Sequence, residues 1–241
     1  MTGRRYPAAR KVADQLGGEP GLILHNGGLV VEAASPVRVC PLNRIAAVAV
    51  VVFSKLHGAD PVVHFGHRGE GLLYVETASP SHTLLACYLS RSHPDVRIVE
   101  NLEAAIAREP DEPLQVMFGA TMLDMSALAV AIEAKSFGVS VLRTVCPKDY
   151  LSLLDVVGPT VDKSEALRFL CARWEVGVKQ VLAVGDNWND REMLRMVGIG
   201  CVMANADPGL QTLGLTLVPS SDEDGVADAI ERFVLGADCR E

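Results

Sequence analysis

Two aspartates at the end of an apolar run are the residues of this chain best suited to chemistry. The segment Val181-Leu-Ala-Val-Gly-Asp-Asn-Trp-Asn-Asp190 is apolar up to Gly185. It then sets Asp186 and Asp190 four residues apart, with the amphipathic Arg191-Glu-Met-Leu194 straight after. A short apolar run that stops at a glycine reads as a buried strand, and the C-terminal edge of such a strand is where open α/β sheets bind ligands. Two hard oxygen donors there suit Mg2+ better than a soft metal and point to phosphate chemistry. Asp186 is the candidate direct Mg2+ ligand. Asp190 is the candidate second ligand or the group that orients the first, with capping of its own helix as the other reading. Asn187 either takes part in the site, holding the Asp186 loop or contacting what binds there, or closes an Asx turn.

A phosphoryl group also needs positive charge on its non-bridging oxygens. Lys163 precedes a helical pattern, and a lysine so placed can reach over the sheet edge as a point charge; a solvated loop lysine is the alternative. His64-Phe-Gly-His-Arg68 has the His-x-x-His spacing of a metal pair, but Gly66, Gly69 and Gly71 around it read as a hairpin turn instead. Met117, Met122 and Met125 read as core or gap-filling residues.

The elements that must position these groups fall into two textures. After Gly158 the pattern is regular: helix from Ser164 to Trp174, strand from Gln180 to Gly185, helix from Asp190 to Met196, strand from Ile199 to Met203. A short helix near Asp207–Gln211, a strand Leu215–Val218 and a last helix Gly225–Leu235 complete it. That succession of β-α-β units implies a mostly parallel sheet. Before it, Ala8 to Leu16 reads as a helix and Gly21 to His25 as a strand closed by the turn Asn26-Gly-Gly28. Between about Val37 and Leu154 apolar runs (Ile45–Phe53, Leu72–Val75, Leu114–Phe118, Val139–Thr144) read as strands. They alternate with helical patterns at Ser81–Leu89, Leu102–Arg108 and Met125–Lys135. The layout predicts a discontinuous core, residues 1–36 with 156–241, and an inserted domain over 37–155.

Bulk properties narrow the classes. A chain of 241 residues, 49% hydrophobic, is long enough for one large or two small folded domains and is not disordered. A net charge of −8 argues against a general nucleic-acid surface. The longest apolar run, Ile45 to Phe53, is too short to span a bilayer, and the N-terminus has no apolar signal region. Six cysteines without a Cys-x-x-Cys read as reduced, buried thiols of a cytoplasmic protein.

Gly185-Asp-Asn-Trp-Asn-Asp190-Arg-Glu-Met-Leu194, followed by Gly200-Cys-Val-Met-Ala-Asn-Ala206, resembles the last signature of the haloacid dehalogenase superfamily, and within it the Cof-like phosphatases. The tail Val218-Pro-Ser-Ser-Asp-Glu-Asp-Gly-Val226 is similar to that subgroup's ending. Lys163 falls at the family's lysine motif, Thr2-Gly3-Arg4 resembles its T-G-R, and His25-Asn-Gly-Gly28 its N-G-A. The resemblance implies a Rossmannoid α/β core with a parallel sheet and an inserted α+β cap. It implies Mg2+-dependent hydrolysis of a small phosphorylated metabolite, a sugar phosphate by expectation. Asp186 and Asp190 then serve the metal, Lys163 and Thr2 bind phosphate, and Asn26 and Asn187 contact substrate. The competing reading of Thr2 is a frayed second residue.

The family's D-x-D-G-T motif, whose first aspartate attacks phosphorus and whose second acts as acid and base, has no counterpart in the chain. The family's first strand is expected upstream of Met1, so that this chain lacks it. Asp222-Glu-Asp224 has the spacing but sits in a polar loop, and Asp155 follows an apolar run without a partner two residues on. A non-catalytic protein that binds a phosphorylated ligand or has a regulatory role is therefore the rival expectation.

Overall fold

The structure, a computed structural model, describes residues 1–66, 70–77, 80, 83–92, 94–146 and 151–236. It forms two compact units, Met1–Asp162 and Lys163–Glu241.

The first unit opens with helix α1 (Tyr6–Leu16) and an antiparallel meander of β1 (Leu22–Leu24), β2 (Leu29–Glu32) and β3 (Ser35–Val39). Next come α2 (Arg44–Leu56), β4 (Val62–His64), β5 (Leu73–Val75), α3 (Thr83–Ser92), β6 (Val96–Ile98) and α4 (Leu102–Arg108). The unit closes with β7 (Gln115–Thr121), α5 (Met122–Glu133), β8 (Ser140–Cys146) and β9 (Leu151–Val157). The strands β4 to β9 make one sheet in the order β6-β5-β4-β7-β9-β8, antiparallel except for the β5–β6 pair.

Strand alternation gives this sheet two different faces. Val63, Phe65, Val116, Phe118, Leu154 and Val156 pack under α2, α4 and α5 as the main core. The opposite face packs Val62, Leu73, Val75 and Met117 against Leu85 and Leu89 of α3. It also carries His64, Gln115 and Asp155, all buried. The β9 strand pairs along its whole length with β7 and β8.

One local expectation is corrected. Ile45–Phe53 is not a strand but the centre of α2. Asn43 supplies the helix start, its Oδ1 accepting from the backbone N–H of Ile45 and Ala46, and three alanines favour the helix. Apolar residues on both faces hide the helical period, so the run could not be told from a buried strand by pattern. The short strands β4 and β6 went unread for the opposite reason, being three residues each.

The second unit follows its expected order closely. Helix α6 (Lys163–Arg173) precedes β10 (Leu182–Gly185), α7 (Arg191–Met196), β11 (Ile199–Met203), α8 (Pro208–Gln211), β12 (Thr216–Val218) and α9 (Gly225–Phe233). The three strands pair in parallel in the order β10-β11-β12. Cys201, Met203, Val218 and Ala229 form their core. The α/β class holds.

Met117 and Met125 are core residues, whereas Met122 is 45% exposed. The thiols of Cys171 and Cys201 are buried, Cys40 is half-buried and Cys87 is exposed; all four are free. Cys239 and His67 lie outside the described residues. Among the described residues no helix is long and apolar enough to cross a membrane.

Candidate functional site

The site is built where β10 ends. Gly185 is its last residue, and a Cβ there would come within 2.7–2.9 Å of the Asp190 side chain. Glycine is what lets the carboxylate fold back against the strand end. Asp190, at the end of the 3-10 turn Trp188–Asp190, is 6% exposed. Its Oδ2 accepts from the backbone N–H of Asp186 (3.3 Å) and Asn187 (3.2 Å). Its Oδ1 accepts from Lys163 Nζ at 2.7 Å.

Lys163 is the first residue of α6 and is 7% exposed, so its ammonium is not a solvated loop charge. It also donates to Asn189 Oδ1 at 3.1 Å. The buried lysine and aspartate form an ion pair, and the backbone donors complete the carboxylate's hydrogen bonding. Asp190 is thereby occupied on both oxygens.

Asp186 differs. It is half-buried, and among the described residues its carboxylate has no hydrogen bond or ion pair. Only its main chain is engaged: its carbonyl accepts from Asp207 N–H at 3.0 Å, which ties the loop after β10 to the loop after β11. Asp207 in turn caps α8 through Gly209 N–H. The site thus holds a free carboxylate, a lysine–aspartate pair beneath it, and Asn187 half-buried between them in sequence. Among the described residues no three His, Cys, Asp or Glu side chains group as a metal cage. Mg2+ does not require one, since it keeps waters and binds through one or two carboxylates with substrate oxygens.

Four of the six residues picked from sequence, Lys163, Asp186, Asn187 and Asp190, therefore fall in one cluster of the second unit. Asn189, in the same motif, was not singled out; its contact with Lys163 spans 26 residues and has no local signal.

Thr2 and Asn26 lie in the first unit and are neighbours there. Asn26 N–H donates to the Thr2 carbonyl, and Thr2 N–H to Ile23 O at 2.8 Å. The Thr2 hydroxyl accepts from Arg4 N–H at 3.2 Å. The Asn26 side chain is fully buried and donates to Asp155 Oδ2 at 3.0 Å. Gln115 donates to the other Asp155 oxygen at 3.0 Å and lies 3.3 Å from His25 Nδ1. This buried polar chain, from the 3-10 turn His25–Gly27 to β7 and β9, was not legible in the sequence.

Residues 1–230 match the family described as haloacid dehalogenase-like hydrolase. An HMP-PP phosphatase of Serratia proteamaculans is 28% identical over 235 residues, 97% of this chain and 81% of that protein. A phosphoglycolate phosphatase of Methanothermobacter thermautotrophicus is 31% identical over 81 residues, 34% of this chain and 37% of its own length. Among solved structures, a haloacid dehalogenase-like hydrolase from B. subtilis superposes with a TM-score of 0.78 at 17% identity, covering 97% of this chain and 86% of that one. A HAD subclass IIB sugar phosphatase superposes with a TM-score of 0.73 at 17% identity, covering 95% and 82%.

Proposed function

The chain belongs to the haloacid dehalogenase-like hydrolases, and on that premise we propose that its second unit serves the Mg2+-dependent hydrolysis of a small phosphomonoester. The observation that carries the reading is the contrast between the two aspartates. Asp190 is spent on Lys163 and two backbone N–H groups, while Asp186 keeps a half-buried, uncommitted carboxylate at the end of β10. A hard, anionic oxygen donor on a loop fixed from both sides fits Mg2+. Asp186 would hold the ion, and Asp190 would support it by fixing the backbone of residues 186 and 187. When bound, the ion supplies charge neutralisation for the phosphoryl oxygens. Lys163 adds positive charge under the same loop, and Thr2 is the second phosphate-binding candidate. Asn26 and Asn187 are the candidate substrate contacts.

A phosphorylated sugar or a similarly small metabolite is the proposed substrate, supported by relatives named as an HMP-PP phosphatase and a sugar phosphatase. Residues 1–36 with 156–241 are proposed as the core and 37–155 as the cap. A small cytoplasmic metabolite is in keeping with the reading of the thiols. Asp155 is not proposed as a nucleophile, because it is buried and accepts from both Asn26 and Gln115.

The test is release of inorganic phosphate from a panel of sugar phosphates, p-nitrophenyl phosphate and phosphorylated pyrimidines, with Mg2+ and with EDTA. Turnover that needs Mg2+ and vanishes in Asp186→Asn supports the reading. Calorimetric binding of the same compounds without any turnover favours the rival, a ligand-binding protein.

A further inference from the structure

Helices α2 and α5 are apolar on both faces, which is the pattern of a helix buried all round. Their inner faces are accounted for: Ala46, Ala47, Val50 and Val51 of α2, and Met125, Leu128, Ala129 and Ile132 of α5, sit in the main core. Their outer faces are not covered. Ile45, Val52 and Leu56 recur at intervals of seven and four on α2, directly opposite the buried stripe, and are 79%, 43% and 81% exposed. On α5, Leu123 (79%) and Val130 (66%) flank the exposed Ala127 in the same way. Neither stripe contains a charged residue.

The two stripes belong to one surface. The helices cover the same face of the six-stranded sheet, and the loop after α2 meets the first turns of α5 around a cavity of 370 Å3 lined by His57, Asp60, Asp124 and Ala127 among others. Two nearby cations are turned to other work: Lys55 pairs with Glu103 and Glu76, and Arg44 bonds the carbonyls of Ala107 and Pro110.

We propose that this α2–α5 surface is the interface of a homodimer, two copies packing their helix layers face to face across a two-fold axis. The area decides for a second copy. With Met122 (45%) included, the exposed large apolar residues amount to about four whole side chains, roughly 600–700 Å2, more than a monomer ordinarily leaves in one patch. Used twice, once per copy, the patch buries roughly 1,200–1,400 Å2, which enters the range of stable complexes. An isologous contact needs a self-complementary patch, and the two stripes are themselves uncharged, with the exposed Asp124 and Glu133 at their edges. A lipid surface fits less well: a net charge of −8 is repelled by anionic headgroups.

Sedimentation velocity of the full chain over the micromolar range tests this directly. The expected species has twice the 25.8 kDa chain mass. Val52→Glu/Leu123→Glu should raise the dimer Kd by roughly a hundredfold or more, because each copy would bury two unpaired carboxylates. Its helical circular dichroism should be unchanged, since both positions are exposed. Val226→Glu, an equally exposed site on α9, should leave the dimer intact. A monomeric wild type overturns the proposal, whether or not it adheres to phosphatidylcholine vesicles, and so does a dimer that persists in the double variant.

Discussion

Lys163 and Asp190 are a buried ion pair, and the Asp186 carboxylate has no partner among the described residues; substitution should separate the two roles by stability. Lys163→Met removes the cation and leaves Asp190 charged and buried, at a cost of about 3–5 kcal/mol in urea unfolding. Asp190→Asn should likewise destabilise, since it leaves the lysine ammonium buried against a neutral amide. Asp186→Asn should stay within about 0.5 kcal/mol of wild type and lose Mg2+-stimulated phosphate release. Equal destabilisation by the two aspartate variants would contradict the division of labour. This much of the site was readable in Gly185–Asp190 because the motif is local: a strand end, a glycine and the loop fall within ten residues. That Lys163 belongs under it was legible only from motif order, and its burial not at all.

Among the elements, α2 shows what pattern reading can and cannot give. A nine-residue apolar run has no visible period when both faces of a helix are apolar, and its start is fixed in the structure by the Asn43 cap. Asn43→Ala removes the acceptor for Ile45 N–H and Ala46 N–H and should cost about 1 kcal/mol in thermal unfolding. A cost near zero would mean the start of α2 is fixed by packing alone. The β-α-β order of the second unit was legible because short apolar runs there alternate with helical patterns. In the six-stranded sheet three-residue strands such as β4 and β6 are too short to show alternation, and their partners are set by pairing over long separations.

On the scale of the molecule, stability should fall as the pH is lowered. His64 lies buried opposite Gln115 on the α3 face of the sheet, and neither ring nitrogen has a hydrogen-bond partner. His25 meets it edge-on at 5.5 Å, and Tyr88 of α3 stacks at 6.4 Å. Burial, with His25 and Arg5 adding to it, pushes the His64 pKa well below the usual 6.5. Burial likewise raises the Tyr88 hydroxyl to about 12, with Arg5 working against it and Asp155 adding to it. The unfolded chain therefore binds a proton that the folded one refuses. Stability is full above pH 6.5 and falls with pH from there down to the depressed folded value. His64→Phe should flatten that slope between pH 7 and 5 and, at pH 7, leave stability unchanged or raised by about 1–2 kcal/mol. A slope as steep as wild type in chemical unfolding at the two pH values would remove His64 as its source.

The sequence by itself determined the family resemblance, the order of elements after Gly158 and the loop that carries Asp186. Each is written in residues close together in the chain, where turn chemistry and strand ends leave local marks. Only the tertiary structure decided what those residues do to one another. Asp190 is spent on a lysine 27 positions away and so frees Asp186 for other work. Asn26 reaches Asp155 across 129 positions, and the apolar run at Ile45 became a helix with one face left bare. Burial and hydrogen-bond pairing depend on what the rest of the chain brings alongside, and no spacing along the sequence records that.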